Sequence, residues 1–322
     1  MKSILVTGAN GFVGQRLVQA LDQAGCSVRC AVRDNKLVNS SDARQSIVVG
    51  DINENTEWAT SLAGVDTVVH LAARVHVMND DSVDPLREFR SVNVEGTVKL
   101  AGKAADAGVR RLIYLSSIKV NGEQTGYEDR AVFMENDLAE PCDPYAISKH
   151  EAEVQLREIE RDSNLEVVII RPPLVYGPGV KANFYKLLSW VNKGIPLPLL
   201  SIKNNRSMVS VFNLVDLIKT CIDHPQAAGE TFLVSDGDDL STAELIQHIA
   251  KAMDKPARLF SLPEWVLNSV GKVTGKSEEL RRLCGSLQVD ISKAERVLGW
   301  APSVSVDEGI RRTVEWFMGR DK

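Results

Sequence analysis

Four things are scarce in this 322-residue sequence, and each absence removes a class of protein. No apolar stretch approaches the roughly 20 residues of a membrane-spanning helix, so no membrane partner is expected. Cysteine is limited to Cys26, Cys30, Cys142, Cys221 and Cys284, an odd number without metal-type spacing. That indicates neither a disulfide framework nor a metal site, and fits a reducing compartment. A basic excess is missing too: 38 Lys and Arg against 43 Asp and Glu leave a net charge of -5. The cations are scattered, which argues against a nucleic-acid partner and means that any anionic ligand must be met by local groups. Finally, Met1 runs within a few residues into a glycine-rich loop, with no apolar core and cleavage site of a secretory signal. The expected location is the cytoplasm.

What remains is an ordinary globular composition, 44% hydrophobic and 25% charged. Short β-rich apolar runs at 3–6, 27–32, 46–49, 67–71, 112–115 and 167–170 alternate with helical patterns. Continuously apolar strands separated by helices predict a parallel sheet covered on both faces. Val13, Leu17, Val18 and Leu21 form one helical face ending at Gly25, and a second helix is expected from 93 to about 107, stopping at Gly108. After Arg171 the chain becomes rich in Pro and Gly. The expectation is an α/β fold: a doubly wound parallel-sheet Rossmann domain (1–171 plus about 207–235) and a smaller, discontinuous α/β substrate lobe (about 172–206 plus 236–322). The segment 208–215 and the run 231–234 are expected to return to the sheet.

Thr7-Gly8-Ala9-Asn10-Gly11-Phe12-Val13-Gly14 follows the first strand and opens the first helix. A glycine-rich turn alone says little, but this position says much. Gly8 permits the tight turn, Gly11 lets backbone approach a pyrophosphate, Gly14 permits close helix packing, and the helix start offers free N–H groups to phosphate. Eighteen residues after Gly14, where an NAD-specific protein is expected to carry a carboxylate, stand Val32 and Arg33. An arginine there can pair with a 2′-phosphate, which favours NADP and leaves NAD possible. Asp51, followed by Ile52, ends the third strand where it can accept a hydrogen bond from adenine.

Tyr145-Ala146-Ile147-Ser148-Lys149 opens a helix marked by Asp143 as N-cap and Pro144 at the first position. Tyr and Lys four apart share a face, and an ammonium within about 4–6 Å can lower a phenol's pKa by ~1–3 units, toward acid–base work. Ser116-Ser117 follows a strand, where doubly wound sheets present ligand groups. Glycine loop, strand-end Ser-Ser and Tyr-x-x-x-Lys, in that order, resemble the extended short-chain dehydrogenase/reductase family, also called NAD-dependent epimerase/dehydratases, over essentially the whole chain. By that resemblance Tyr145 transfers a proton, Lys149 holds the nicotinamide ribose and lowers the Tyr pKa, and Ser117 polarises the carbonyl. His70-Leu71-Ala72-Ala73 resembles the segment beside the nicotinamide ribose and pyrophosphate, Asn93 the family's helix-start Asn, and Arg171-Pro172-Pro173-Leu174-Val175-Tyr176-Gly177-Pro178 its substrate-loop motif. Asn183, Arg206, Arg281 and Arg282 stand where the nucleotide-sugar branch places diphosphate ligands. The resemblance therefore implies Gly8, Asn10, Gly11, Phe12, Val13, Gly14, Arg33, Asp51, Ile52, Leu71, Ala72, Ala73, Asn93, Ser116, Tyr145, Lys149 and Pro172 around the cofactor.

Departures from the pattern narrow the reaction. The branch's 4,6-dehydratases carry Thr-Asp-Glu after the serine, whereas Ile118 and Lys119 follow Ser117. Typical epimerases have an acidic second-strand end and an Asn in the Arg-Pro loop, against Val32-Arg33 and Leu174 here. Segments 73–78 and 115–122 look like those of bacterial 4-ketoreductases acting on UDP-2-acetamido-4-keto-2,6-dideoxyhexose, whose products feed surface polysaccharide assembly. The expected reaction is NAD(P)H-dependent reduction of that C4 ketone, with His76 a candidate sugar contact. Three alternatives stay open: a UDP-hexose or UDP-N-acetylhexosamine 4-epimerase, a reductase of another small ketone or aldehyde, and a non-catalytic NADP sensor. The helices at 93–107 and 144–161 resemble the family's dimer interface, so a homodimer is expected.

Overall fold

The computed structural model describes residues 2–34, 46–75, 84–126, 132–263, 266 and 283–320. Strands β1 (Ser3–Thr7), β2 (Ser27–Val32), β3 (Ser46–Val48), β4 (Thr67–His70), β5 (Arg111–Leu115), β6 (Glu166–Arg171) and, later in the chain, Thr231–Leu233 form one seven-stranded sheet. All neighbouring pairs run parallel. Such strands need crossover helices, and these lie on both faces. Helix α1 (Phe12–Gln23) buries Leu17, Val18 and Leu21 against one face. The opposite face is covered by α2 (Ala59–Leu62), the helical stretch α3 (Pro85–Arg90) to α4 (Gly96–Asp106), and α5 (Pro144–Asp162). Burial of one Leu or Val contributes ~1.5–3 kcal/mol, so the repeated apolar runs are sufficient to select this layering.

Two expectations are corrected. The helix expected from residue 93 starts at Pro85, capped by the Asp84 side chain, and passes through a π-turn at Ser91–Glu95 before continuing as α4. Asn93 therefore sits inside a wide turn rather than at a helix start. Only part of 208–215 behaves as expected. After β7 (Leu174–Tyr176) and α6 (Ala182–Asn192), strand β8 (Met208–Ser210) pairs in parallel with β7 in a separate two-stranded sheet. The helix that follows, α7 (Val211–Asp223), returns to the core behind α1. Strand β9 (Thr231–Leu233) does join the large sheet, beside β6.

A second hydrophobic core is built from α6, α8 (Thr242–Ala252) and α10 (Val306–Gly319), packed around the buried Tyr176, while α9 (Ser292–Leu298) packs on the first core. Phe12, at the first turn of α1, packs against both cores. A Cβ on Gly179 would lie 3.3 Å from its ring, so the glycine there admits the phenyl group.

Gly14 permits the closest approach. A Cβ at that position would stand 2.1 Å from the Gly8 carbonyl oxygen and 2.8 Å from Ala9 Cα, both backbone. Gly14→Ala is therefore expected to destabilise the fold by about 1–3 kcal/mol, the usual cost of forcing atoms into a packed site, measured by urea unfolding. An unchanged midpoint would show that the loop yields freely.

Candidate active site

Strand order reverses between β1 and β4, and ligands of open α/β sheets bind in the crevice at such a switch point. The glycine loop lies there. Gly8 has φ +65, and its carbonyl accepts the Gly11 N–H at 2.8 Å. Gly11 is the N-cap of α1, with no side-chain cap and no acidic residue in the first turn. Uncapped N–H groups and the positive end of the helix dipole make this an anion cradle. Ser116 adds a buried hydroxyl with no partner among the described residues. Glycines open on one side, an uncapped helix start and an orphaned hydroxyl fit a dinucleotide.

The loop is tied to the neighbouring strand end. Thr7 Oγ1 accepts the N–H groups of Leu71 and Ala72, both at 3.2 Å, and contacts His70 Nδ1 at 2.6 Å, while His70 Nε2 reaches Thr97 Oγ1 at 3.0 Å. With two donors already on Thr7 Oγ1, its own proton goes to Nδ1, which places the single N–H proton of the ring on Nε2. Burial, with Lys149 nearby, pushes the imidazole down to about 3, so it is neutral. Backbone of Leu71 and Ala72 passes so close that a Cβ on Gly8 would lie 2.8 Å from Ala72 N. Ala73 follows in the same described loop.

Asn93 acts as a clamp. Its Oδ1 accepts the Arg74 N–H at 2.8 Å, and its Nδ2 donates to Arg74 O and to Ser148 Oγ, each at 3.0 Å. Ser148 in turn donates to Tyr145 O at 2.8 Å. Expected as a cofactor contact, this amide instead fastens the segment after β4 to the helix carrying Tyr145 and Lys149. The π-turn gives it that aim.

Asp143 caps α5 through the Ala146 N–H at 2.7 Å, Pro144 takes the first turn, and Tyr145 and Lys149 fall on the inward face, as expected. The Ser117 hydroxyl stands near enough to the Tyr145 phenol to lower its proton affinity. The Pro172 carbonyl accepts the Ile118 N–H at 3.0 Å and holds the turn after Ser117. Burial pushes the Tyr145 phenol up to about 12, helped by Asp143 and opposed by the Ser117 hydroxyl. The expected lowering by Lys149 is not what this structure shows. Lys149 Nζ donates to Leu115 O at 2.8 Å, and burial pulls the ammonium down to about 7, opposed by Glu153. Desolvation disfavours both charged forms at once. Glu153, held by Arg171, was not anticipated; a carboxylate four residues beyond Lys149 on the buried helix face was its signal.

Other expected residues are placed less centrally. Arg33 Nε pairs with Asp51 Oδ1 at 2.9 Å, both side chains about three-quarters exposed, at the ends of β2 and β3. Ile52 packs against Gly96, where a Cβ would lie 2.6 Å from its Cγ2. Asn10 is half-buried, its carbonyl accepting from Gln15, and Val13 is half-buried within α1. Asn183 is exposed in the first turn of α6. Arg206 is largely desolvated, with Nη1 donating to Gly285 O at 2.9 Å. His76, Arg281 and Arg282 lie outside the described residues. Among the described residues no His, Cys, Asp and Glu cluster could hold a metal, and no helix is long and apolar enough to cross a membrane.

The Asn93 clamp predicts that Asn93→Ala, by stranding the polar groups of Arg74 and Ser148, lowers unfolding free energy by about 1–3 kcal/mol in urea titration. His70 makes a pH prediction. A folded-state value near 3 against 6.5 unfolded means that the unfolded chain binds the extra proton. Stability from this group is complete above pH 6.5 and falls as pH drops from there toward 3. His70→Gln should flatten that part of a stability–pH curve; an unaltered slope would contradict the buried neutral ring.

Comparison with known proteins agrees with this arrangement. Residues 4–235 match the NAD dependent epimerase/dehydratase family. The chain is 51% identical over 319 residues to a UDP-glucose 4-epimerase of Vibrio cholerae, covering 98% of this chain and 96% of the relative. It is 29% identical over 334 residues to the N-acetyl-alpha-D-glucosaminyl-diphospho-ditrans,octacis-undecaprenol 4-epimerase of Escherichia coli O157:H7, covering 98% and 95%. Among solved structures, MoeE5 in complex with UDP-glucuronic acid and NAD superposes with a TM-score of 0.78 at 25% identity, covering 99% of each chain. With its parallel sheet, glycine cradle and Ser–Tyr–Lys site, the chain belongs to the NAD dependent epimerase/dehydratase family.

Proposed function

We propose that this protein is a 4-epimerase of a UDP-hexose or UDP-N-acetylhexosamine that works with bound NAD. The observation that carries the reading is the 51% identity, over nearly the full length of both chains, to a UDP-glucose 4-epimerase. This revises the ketoreductase expectation: the departures at Arg33 and Leu174 weigh less than similarity along the whole chain. The site is compatible. Ser117 stands beside Tyr145, and Lys119, within the stretch that departs from the dehydratase motif, is tied to Asp143.

Bound NAD would supply a hydride acceptor whose reduced form becomes the donor of the return step, so that the oxidised cofactor is regenerated within the turnover. The chain's own groups handle the proton. Tyr145 takes it from the sugar's C4 hydroxyl and later returns it, Ser117 hydrogen-bonds that oxygen, and Lys149 lends the positive charge that a buried phenolate needs. Gly8, Gly11 and the first turn of α1 hold the pyrophosphate, with Ser116 beside the nicotinamide half.

Purified protein should interconvert UDP-GlcNAc and UDP-GalNAc, or UDP-Glc and UDP-Gal, without net NADH formation, and Tyr145→Phe should lose at least about 100-fold in kcat, the usual scale of a lost acid–base group. Stoichiometric NADPH oxidation with a UDP 4-keto sugar, and no epimerisation, would establish the second reading, a 4-ketoreductase. Arg33 is what favours that reading. It stands where a 2′-phosphate would be met, although Asp51 already engages it. Arg33→Ala should raise the KM for NADPH much more than for NADH if this second reading holds.

Two copies are proposed to meet through α4 and α5. Val94, Val98 and the 43%-exposed Val154 line a groove there with His150 and Glu151. Val154→Asp should convert a dimer to a monomer in light scattering; an unchanged mass would refute this face.

A further inference from the structure

Lys149 is 2% exposed, yet its two direct partners carry no formal charge. They are the Leu115 carbonyl, 2.8 Å from Nζ, and the Tyr114 ring, whose centroid is 4.4 Å away. The ionisable groups around it come from four elements. His70 on β4 is neutral, Tyr114 on β5 has its phenol pushed well up by burial, and Tyr145 on α5 is likewise protonated at neutral pH. Glu153, one turn beyond Lys149 on α5 and 4% exposed, is the carboxylate whose charge acts on the ammonium. Beyond it, from β6, Arg171 donates through Nε at 3.0 Å and Nη2 at 2.5 Å to the two carboxylate oxygens. Arg171 Nη1 is held by Asn121 Oδ1 at 2.9 Å, and Asn121 donates to Met134 O at 2.7 Å.

A two-pronged guanidinium fixes the buried carboxylate in place. A buried ammonium without a counter-charge sheds its proton. We infer that Glu153, oriented by Arg171, is the counter-charge that sets the protonation of Lys149 and, through it, the readiness of Tyr145 to exchange a proton. Glu153 and Arg171 are positioning residues: they act on the reaction through Lys149. Arg171 also limits the effect, because its own positive charge, bound to the same Glu153 that acts on Lys149, opposes protonation of the lysine. The two residues therefore push Lys149 in opposite directions. A purely structural ion pair has no such signature.

The inference rests on Lys149 serving Tyr145, as proposed above, but its first readout needs no turnover. Lysine labelled with 13C at Cε is titrated by NMR, and the Lys149 signal is identified by its loss in Lys149→Arg. Glu153→Gln should move the midpoint down by about one pH unit or more, and Arg171→Met should move it up. Should either single variant fail to fold, Glu153→Gln/Arg171→Met replaces the pair with neutral groups, a change that buried ion pairs often tolerate. It should still lower the midpoint, because the carboxylate, one helical turn away, is the charge that acts on the ammonium. A midpoint unmoved in the folded double variant, or single variants shifting in the same direction, would overturn the inference. The alkaline fall of kcat/KM for UDP-sugar interconversion should track the NMR midpoint in each variant. NMR shifts of the expected signs without that tracking would support the counter-charge and overturn the catalytic role given to Lys149.

Discussion

A lysine ammonium buried at the carboxyl end of a parallel strand is the constraint on which the rest of this site depends. Taking such a group out of water costs several kcal/mol unless other charges compensate. Around Lys149 the protein spends a backbone carbonyl, an aromatic face and, one turn away, a carboxylate already shared with an arginine. The same burial that weakens the ammonium strengthens the phenol's hold on its proton. Tyr145 and Lys149 are therefore pushed apart in proton affinity, from nearly equal free values to about 12 for the phenol and about 7 for the ammonium. Charge brought into the crevice by a bound ligand can shift that balance.

Local signals account for what was legible in the residues themselves. The runs at 27–32 and 112–115 are β-rich and largely apolar, and both became strands of the sheet, one with the same bounds and one extended by Arg111. Asp143-Pro144 marked the start of α5 because an N-cap carboxylate and a proline without an N–H are each cheap only there. The Gly8, Gly11 and Gly14 spacing was readable for the same reason: a left-handed turn, an uncapped helix start and a helix–strand approach each demand glycine at one place.

What could not be read depends on partners far apart in the chain. Asn93 looked like a ligand contact because its environment is made by Arg74 and Ser148, which lie 19 and 55 residues away, and a π-turn is needed to aim it at them. Strand β8 has only three residues, and whether it joins β9's sheet or β7 is decided by packing around Tyr176, whose hydroxyl is bonded to Asp236 at 2.7 Å. The direction of the Tyr145 shift was misjudged for a related reason. A Tyr-x-x-x-Lys spacing specifies proximity, whereas the sign of the shift depends on burial and on where Nζ points, and neither is encoded in four residues.

The division between retaining and exchanging a cofactor is also a matter of long-range packing. In the proposed reading the first turn of α1 holds the pyrophosphate, and its side chain Phe12 is inserted between the two cores, beside Gly179. Thr7 ties the strand before the loop to the backbone after β4, and Asn93 ties that segment to α5. Releasing a dinucleotide from such a cradle by moving the loop would disturb both cores together, which costs more than opening a free surface loop. A cradle anchored on three sides suits a cofactor that stays through the cycle, as epimerisation requires, because the hydride taken from one face of the sugar must be returned before release. Arg33 and Asp51 lie outside those anchors, exposed at the strand ends. They can select which adenosine half enters without governing how firmly the pyrophosphate is held. Preference between NAD and NADP and retention of the cofactor are for that reason separate properties of this fold, and the arginine that points to one says little about the other.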